Sequence, residues 1–205
     1  MKSDYDLLDQ LFYDPEQGYV NVNTFIQKAK EAGVKLSDKL IRKWYKDQSV
    51  NQINYSKKSK EFEQITCPWY NIGCIQADLM FLDKFYKENS GYKYILVVID
   101  VYSRYAWAFP LKNKYSTEIV EHIKTVTSDI RKRVHDISIT MTSDDGTEFK
   151  GAVSSFLKKN GFGQIFIPPK GQKSLRKKGI VERFNRTIWN KLKKYFTRNE
   201  TTEWY

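Results

Sequence analysis

Three carboxylates stand where secondary-structure patterns could bring them to one edge of a β-sheet. Asp78 lies within the apolar run 75–81, which predicts a strand, and a charge in the middle of a strand needs a reason. Asp144 follows the alternating segment 137–141, which predicts a second strand that an Asp-Gly turn pair then ends. Glu182 falls in the first turn of a predicted helix that carries one apolar stripe. We therefore expect the three side chains to converge.

A site of three converging carboxylates is suited to divalent cations and to phosphate chemistry. Mg²⁺ binds through a few carboxylate oxygens and keeps its other positions for water and phosphate oxygens. Two such ions about 3.5–4 Å apart can activate a hydroxyl on one side of a phosphodiester and stabilise the leaving oxygen on the other. The pattern thus predicts that Asp78, Asp144 and Glu182 act as metal ligands and not as general bases.

The charge balance favours a polyanionic partner. The chain has 205 residues, with 35 Lys and Arg against 24 Asp and Glu, which gives a formal charge of +11. Such a surplus favours nucleic acid. The hydrophobic content of 40% excludes a disordered tail, the two cysteines exclude a disulfide scaffold, and no apolar run is long enough for a transmembrane helix. The segment 1–6 lacks the apolar core of a signal peptide, so we do not expect a secreted protein.

Changes in residue pattern divide the chain into three parts. Residues 1–48 carry helical periodicity, and residues 49–69 carry little periodicity and a lysine cluster, which is typical of a basic linker. Residues 70–205 predict the order β-β-β-α-β-α-β-α. That order is typical of an α/β domain with a mixed sheet and helices on its faces.

Residues 1–48 predict three short helices, and two interpretations of them stay open. A glycine turn at Gly33 precedes a basic last helix, which is typical of a helix-turn-helix module that binds DNA. A small structural bundle explains the same pattern equally well. The candidate DNA contacts of this part are Lys39, Arg42, Lys43 and Lys46.

Residues 70–196 resemble the catalytic core of retroviral-type integrases, the DDE enzymes of the RNase H-like fold. The 37 residues between Asp144 and Glu182 are close to the usual spacing in that family. The chain looks most like the integrases of Polinton/Maverick transposons and virophages. The likeness rests on four segments in the family's order, namely 75–78, 98–105, 143–149 and 179–187.

The resemblance implies a fold and a set of site residues. The fold is the RNase H-like α/β fold, a mixed five-stranded sheet flanked by helices, here with a small N-terminal helical module. Asp78, Asp144 and Glu182 are implied as the catalytic residues, which hold two Mg²⁺ or Mn²⁺ ions. Basic residues around Glu182 are implied to hold a DNA end against the metals. These predicted DNA contacts are Lys170, Lys173, Arg176, Lys177, Lys178 and Arg186.

The implied activity is that of a DNA integrase of a mobile element or virus. Such an enzyme trims the 3′ ends of element DNA and then joins them to target DNA, in the nucleus of a host cell or in a virus particle. The resemblance implies a homo-oligomer with DNA as its partner and no membrane association. Two alternatives stay open, namely an RNase H-like nuclease that cuts without joining and a non-catalytic DNA-binding remnant of an integrase. The family usually carries a further C-terminal module, so we expect that residues 70–205 are a truncated core.

Overall fold

The structure of the protein, a computed structural model, describes residues 3–54, 71–167 and 178–205. Five strands form one sheet in the order β3-β2-β1-β4-β5. The strands β1 to β3 pair antiparallel, whereas β4 pairs parallel with β1 and with β5. The strands are β1 (Cys74–Phe81), β2 (Tyr94–Asp100), β3 (Ala106–Leu111), β4 (Thr140–Asp144) and β5 (Gly163–Ile167).

Seven α-helices accompany the sheet in the described part of the chain. Four precede it in sequence, two lie between strands, and the last follows β5. The helices are α1 (Asp4–Tyr13), α2 (Val22–Glu31), α3 (Asp38–Asp47), α4 (Ser49–Ile53), α5 (Ser116–Arg133), α6 (Ala152–Lys159) and α7 (Gly179–Asn199). A mixed five-stranded sheet flanked by helices confirms the predicted RNase H-like fold.

The sheet is buried because apolar side chains cover it. In β2, every residue from Ile95 to Asp100 is buried, as expected for a central strand with both faces covered. On one face of β1, the side chains of Ile75, Ala77 and Leu79 pack into the main core. The buried face of α5, whose apolar residues recur mainly every three or four positions, joins the same core.

Asp100 is buried at the end of β2, where it fastens the turn that follows. Its carboxylate accepts hydrogen bonds from the backbone N–H groups of Gly73, Tyr102 and Ser103, at 3.1, 3.2 and 3.2 Å. The side chain is 1% exposed, so water cannot replace it as an acceptor. Asp100 therefore caps the turn that follows β2.

We predict that Asp100→Ala destabilises the sheet-containing unit without touching the site. Three backbone N–H groups would lose their acceptor, at a cost of about 1–3 kcal/mol for each group that stays buried. Urea unfolding should therefore show a free energy of unfolding lower by about 3 kcal/mol. Glu88→Ala, at an exposed position of the same unit, is the control and should change it by less than about 0.5 kcal/mol. An unchanged midpoint for Asp100→Ala would contradict the assigned role.

The described residues fall into two compact units, and the first contains the N-terminal helices. This unit lies within residues 1–61 and 187–204, and the second lies within residues 62–186 together with Tyr205. The core of the first unit is rich in aromatic rings, with Phe12 and Phe25 fully buried. Phe12 makes edge-to-face contacts with several neighbouring rings, an arrangement that adds to the stabilisation from burial alone.

Two features of the first unit differ from the predicted division of the chain. The predicted linker begins at residue 49, but residues Ser49–Ile53 form α4, whose Val50 is 1% exposed and packs into the core. The second half of α7 packs with the N-terminal helices. Lys194 Nζ lies 5.8 Å from the centre of the Phe12 ring, and Arg198 Cζ lies 4.3 Å from the centre of the Tyr13 ring. The division into three domains stays a prediction. No helix in the described ranges has the length and apolar character needed to cross a membrane.

Candidate active site

The pairing of β1 with β4 places Asp78 beside Asp144. The two strands run parallel, and Gln76 is opposite Thr142. Two residues further along each strand come Asp78 and Asp144, on the same face as the pair before them because side chains alternate in a strand. Asp144 is the last residue of β4, whereas the sequence predicted that it follows the strand.

The ammonium group of Lys178 joins these two carboxylates. Its Nζ donates to Asp78 Oδ1 at 2.8 Å and to Asp144 Oδ2 at 2.9 Å. The Lys178 side chain is only 9% exposed, against 18% for Asp78 and 45% for Asp144. Charge-assisted hydrogen bonds of this length are among the stronger polar contacts in proteins. The site therefore consists of two acids held together by a buried cation.

The start of α7 delivers Lys178 and a second donor to Asp78. Lys178 immediately precedes the helix, and Asn185 is seven residues further on, which returns to the same helical face. Asn185 Nδ2 donates to Asp78 Oδ2 at 2.8 Å. Both oxygens of Asp78 thus have a donor from this one segment, which fixes the orientation of the carboxylate.

Gln76 fixes the start of α7 against the sheet. The first N–H groups of a helix have no partner within the helix. One of them, that of Val181, donates to Gln76 Oε1 at 3.0 Å, and both residues are buried. Gln76 lies on the same strand face as Asp78, so β1 supplies both the acid and the anchor of the helix that faces it.

We predict that Gln76→Ala loosens this anchor and lowers stability. The buried N–H of Val181 would lose its acceptor, which costs about 1–2 kcal/mol. Urea unfolding of the sheet-containing unit should show the loss, with Glu88→Ala, at an exposed position of the same unit, as the control. Equal stability of the two variants would show that the contact does not hold the helix.

Burial and the neighbouring charges together shift the pKa values of Asp78 and Lys178. Burial raises the pKa of Asp78; the hydrogen bond and charge of Lys178 oppose this rise, and the charges of Asp144 and Glu182 add to it. Burial alone would lower the pKa of Lys178, but the hydrogen bonds and charges of Asp78 and Asp144 raise it above its ordinary value. Lys178 is therefore a cation at neutral pH.

Glu182 is near the two acids, but its carboxylate does not complete a metal-binding group with theirs. It lies on the face of α7 that carries Lys178 and Asn185, since the spacing is four and then three residues. Its charge contributes to the pKa of Asp78, yet its side chain is exposed. Within the described ranges, no three side chains of Asp, Glu, His or Cys come together in a metal-binding arrangement. The structure thus brings together two of the three predicted ligands.

The residues present fit a divalent cation. Within the part of the chain that the structure describes, Asp144 Oδ1 and Asn185 Oδ1 are buried and accept no hydrogen bond. A buried oxygen without a donor is costly, and coordination of a hard cation would satisfy it. Asp78 and Asp144 would hold such an ion, and Glu182 is the nearest further carboxylate on the facing helix.

The six DNA contacts predicted around Glu182 fall into three groups. Arg186 is exposed on α7, one turn beyond Glu182, as the sequence indicated. Lys178, predicted as a DNA contact, is buried between the carboxylates. Four of the six lie outside the described residues, namely Lys170, Lys173, Arg176 and Lys177. The N-terminal candidates all lie exposed on α3, namely Lys39, Arg42, Lys43 and Lys46.

Comparisons with known proteins show what part of this chain is similar to. Residues 71–171 match the family described as the integrase core domain (rve). A transposon-derived protein of Caenorhabditis elegans is 38% identical over 57% of this chain and 38% of its own length. These findings support a retroviral-type integrase core in this part of the chain.

Polyproteins of transposons give matches of lower identity. The retrovirus-related Pol polyprotein from transposon RE1 of Arabidopsis thaliana is 28% identical over 49% of the chain and 6% of its own length. The Ty1-DR4 Gag-Pol polyprotein of Saccharomyces cerevisiae is 25% identical over the same shares. The chain spans well under half the length of these curated relatives.

Proposed function

We propose that this chain is the catalytic part of a DNA integrase of a mobile element or virus. The observation that carries the proposal is the pair of acids on adjacent parallel strands, Asp78 and Asp144, with Glu182 on the facing helix. An integrase core match over residues 71–171 supports it. The finer assignment to Polinton/Maverick or virophage elements, a nuclear or virion location and a homo-oligomer are part of the proposal.

The proposed reaction has two steps of the same chemical type. In the first, water attacks a phosphodiester near the end of the element DNA and releases a short 3′ product, which leaves a new 3′-hydroxyl. In the second, that hydroxyl attacks a phosphodiester of target DNA, and the 3′ oxygen of the target strand leaves. Bound divalent ions supply Lewis acidity to the attacking and leaving oxygens.

The side chains of this chain orient the site and bind the backbone of DNA. Asp78 and Asp144 would hold the ions, with Glu182 as a third ligand. Asn185 keeps Asp78 in one orientation through its 2.8 Å hydrogen bond. Arg186, one turn beyond Glu182 and exposed, is placed to contact a phosphate of the DNA end.

One observation favours the alternative of a non-catalytic DNA-binding remnant. The described residues contain no closed group of three metal-binding side chains, and Lys178 lies between two of the proposed ligands. A remnant would keep DNA affinity and lose the reaction. The two candidates therefore differ in a single measurable property, which is metal-dependent turnover.

The test uses the full chain with labelled duplex DNA ends and a second unlabelled duplex. With Mg²⁺ or Mn²⁺, an integrase gives both shortened strands and strands joined to the second duplex, and neither product forms in EDTA. Shortened strands without joined products would favour the nuclease. Binding without any product under either metal would contradict the proposal and favour the remnant.

A further inference from the structure

The two acids of the site share a cation that belongs to the chain itself. Lys178 Nζ contacts Asp78 Oδ1 and Asp144 Oδ2 at the same time, and its side chain is almost completely buried. A lysine that only covered the surface of the site would keep its ammonium group in water. The ammonium group of Lys178 instead lies between the two carboxylates, within hydrogen-bond distance of both.

An ion held by both acids needs oxygens of both carboxylates, and one oxygen of each already accepts a hydrogen bond from Nζ. Carboxylate oxygens lie about 2.0–2.1 Å from Mg²⁺, a shorter distance than the 2.8 and 2.9 Å that separate them from Nζ. A bridging ion and the ammonium group would therefore overlap in space and repel each other as like charges. Only one of them can lie between Asp78 and Asp144.

The other two carboxylate oxygens do not form a second site where the ion could bind both acids without displacing Lys178. Asp78 Oδ2 already accepts from Asn185, so both oxygens of Asp78 have donors. Asp144 Oδ1 accepts no hydrogen bond, but it belongs to only one of the two carboxylates. An ion at Asp144 Oδ1 and Asn185 Oδ1, the two buried oxygens of the site without a donor among the described residues, would have only one protein carboxylate, which is a poorer site for Mg²⁺ than one that uses both acids.

We propose that Lys178 is an internal cation that competes with the divalent metal, so that its withdrawal is a step in metal loading. This proposal rests on the proposed function, because it concerns the same site. Lys178 keeps the two acids together and compensates their charge until the ion replaces it.

The competition has a consequence for affinity that does not depend on catalysis. The free energy of metal binding in the wild type is reduced by the free energy of breaking two charge-assisted hydrogen bonds. A variant without the ammonium does not break them. Its two carboxylates also repel each other when no ion is present, which further favours the ion-bound state. Removal of Lys178 should therefore tighten metal binding, although removal of a residue from a binding site usually weakens it.

The test compares Mn²⁺ and Mg²⁺ binding by the full chain and by Lys178→Met, by titration calorimetry. We expect the dissociation constant of Lys178→Met to be at least tenfold lower than that of the wild type. Without metal, the melting temperature of Lys178→Met should be lower than that of the wild type. Saturating Mg²⁺ should raise the melting temperature of the variant by more than it raises that of the wild type. Lys178→Gln, which keeps a polar donor without the charge, serves if the Met variant does not fold.

Two control variants separate this role from general effects of charge. Lys178→Arg keeps a cation at the position and should bind metal no more tightly than the wild type. Lys159→Met removes one exposed positive charge from α6 and should leave the dissociation constant unchanged within about twofold. Tighter binding by Lys159→Met to the same degree as by Lys178→Met would overturn the proposal.

The outcomes also distinguish this proposal from the proposed function. Equal or weaker metal binding by Lys178→Met would show that Lys178 is a structural counter-ion that stays in place, and would overturn this proposal alone. A lack of measurable metal binding by the wild type and by every Lys178 variant would overturn the metal site itself.

Discussion

Asp144→Asn is expected to abolish metal-dependent cleavage and joining of DNA while the protein stays folded. The amide keeps the size of the carboxylate, and its Oδ1 can still accept the hydrogen bond from Lys178. The charge that would hold a divalent ion is lost. Since the ion would stabilise both the attacking and the leaving oxygen, we expect a loss of turnover on the order of a thousandfold or more.

The stability of Asp144→Asn separates loss of a ligand from loss of the fold. With the hydrogen bond to Lys178 retained, the free energy of unfolding without metal should change by no more than about 1 kcal/mol. The wild type should gain stability in Mg²⁺ because the ion binds only the folded state. The variant should gain little, and paired melting curves with and without Mg²⁺ measure both quantities.

The neighbouring acid offers a matched control for this experiment. Asp145 follows Asp144 directly, is half exposed, and its carboxylate pairs with Lys150 at 2.8 Å. Asp145→Asn removes the same charge one residue away, and we expect turnover within about threefold of the wild type, because exposed ion pairs contribute little. If Asp145→Asn were inactive and Asp144→Asn active, the wrong member of the Asp-Asp pair would have been assigned to the site.

Sequence periodicity was sufficient to predict most of the sheet-containing unit. The elements from β1 to α7 follow the predicted order β-β-β-α-β-α-β-α, and β1 covers the predicted strand 75–81. The three consecutive strands predicted at the start of this unit are β1, β2 and β3, which pair antiparallel. Local patterns determine these elements, which explains why the sequence indicated them.

The hydrogen bonds between side chains of the site could not be predicted from local sequence patterns. Lys178 was one of several lysines in a basic stretch, and its burial between two acids depends on contacts 100 and 34 residues away. Asn185 and Gln76 were missed for the same reason, since each bonds a residue more than 100 positions distant. A signal for Gln76 did exist, because a polar residue two positions before Asp78 shares its strand face.

The grouping of residues 187–204 with the N-terminal helices could not be predicted either. The apolar stripe of α7 shows that the helix packs against something, but not against which part of the chain. The ammonium group of Lys194 and the guanidinium group of Arg198 lie over aromatic rings, whereas the charges of this segment by themselves predict a solvated face.

Neutralising the basic face of α3 is expected to weaken DNA binding strongly and to reduce its dependence on salt. Lys39, Arg42, Lys43 and Lys46 are spaced by three, one and three residues, which places them on one side of the helix, and all four are exposed. The inner side of α3 packs through Ile41, Trp44 and Tyr45 into the core of its unit. The four cations can therefore be replaced without disturbing that core.

The size of the effect follows from the release of counterions from DNA. Each phosphate contact contributes about 0.9 to the slope of the logarithm of affinity against the logarithm of salt concentration. Four lost contacts would lower that slope by about 3.6 and the affinity at about 100 mM salt by on the order of a thousandfold. Fluorescence anisotropy of a labelled duplex, titrated at several salt concentrations, measures both.

The control removes positive charge from another part of the same unit. Lys28, Lys30 and Lys35 lie on α2 and in the turn that follows it, and their joint replacement by Gln lowers the net charge by three. If α3 contacts DNA, this variant should lose less than about one unit of slope, whereas the α3 variant loses more than about three. An α3 variant with unchanged affinity and slope would show that residues 1–48 are a structural bundle, since a DNA-binding helix cannot lose four phosphate contacts without a change in salt dependence.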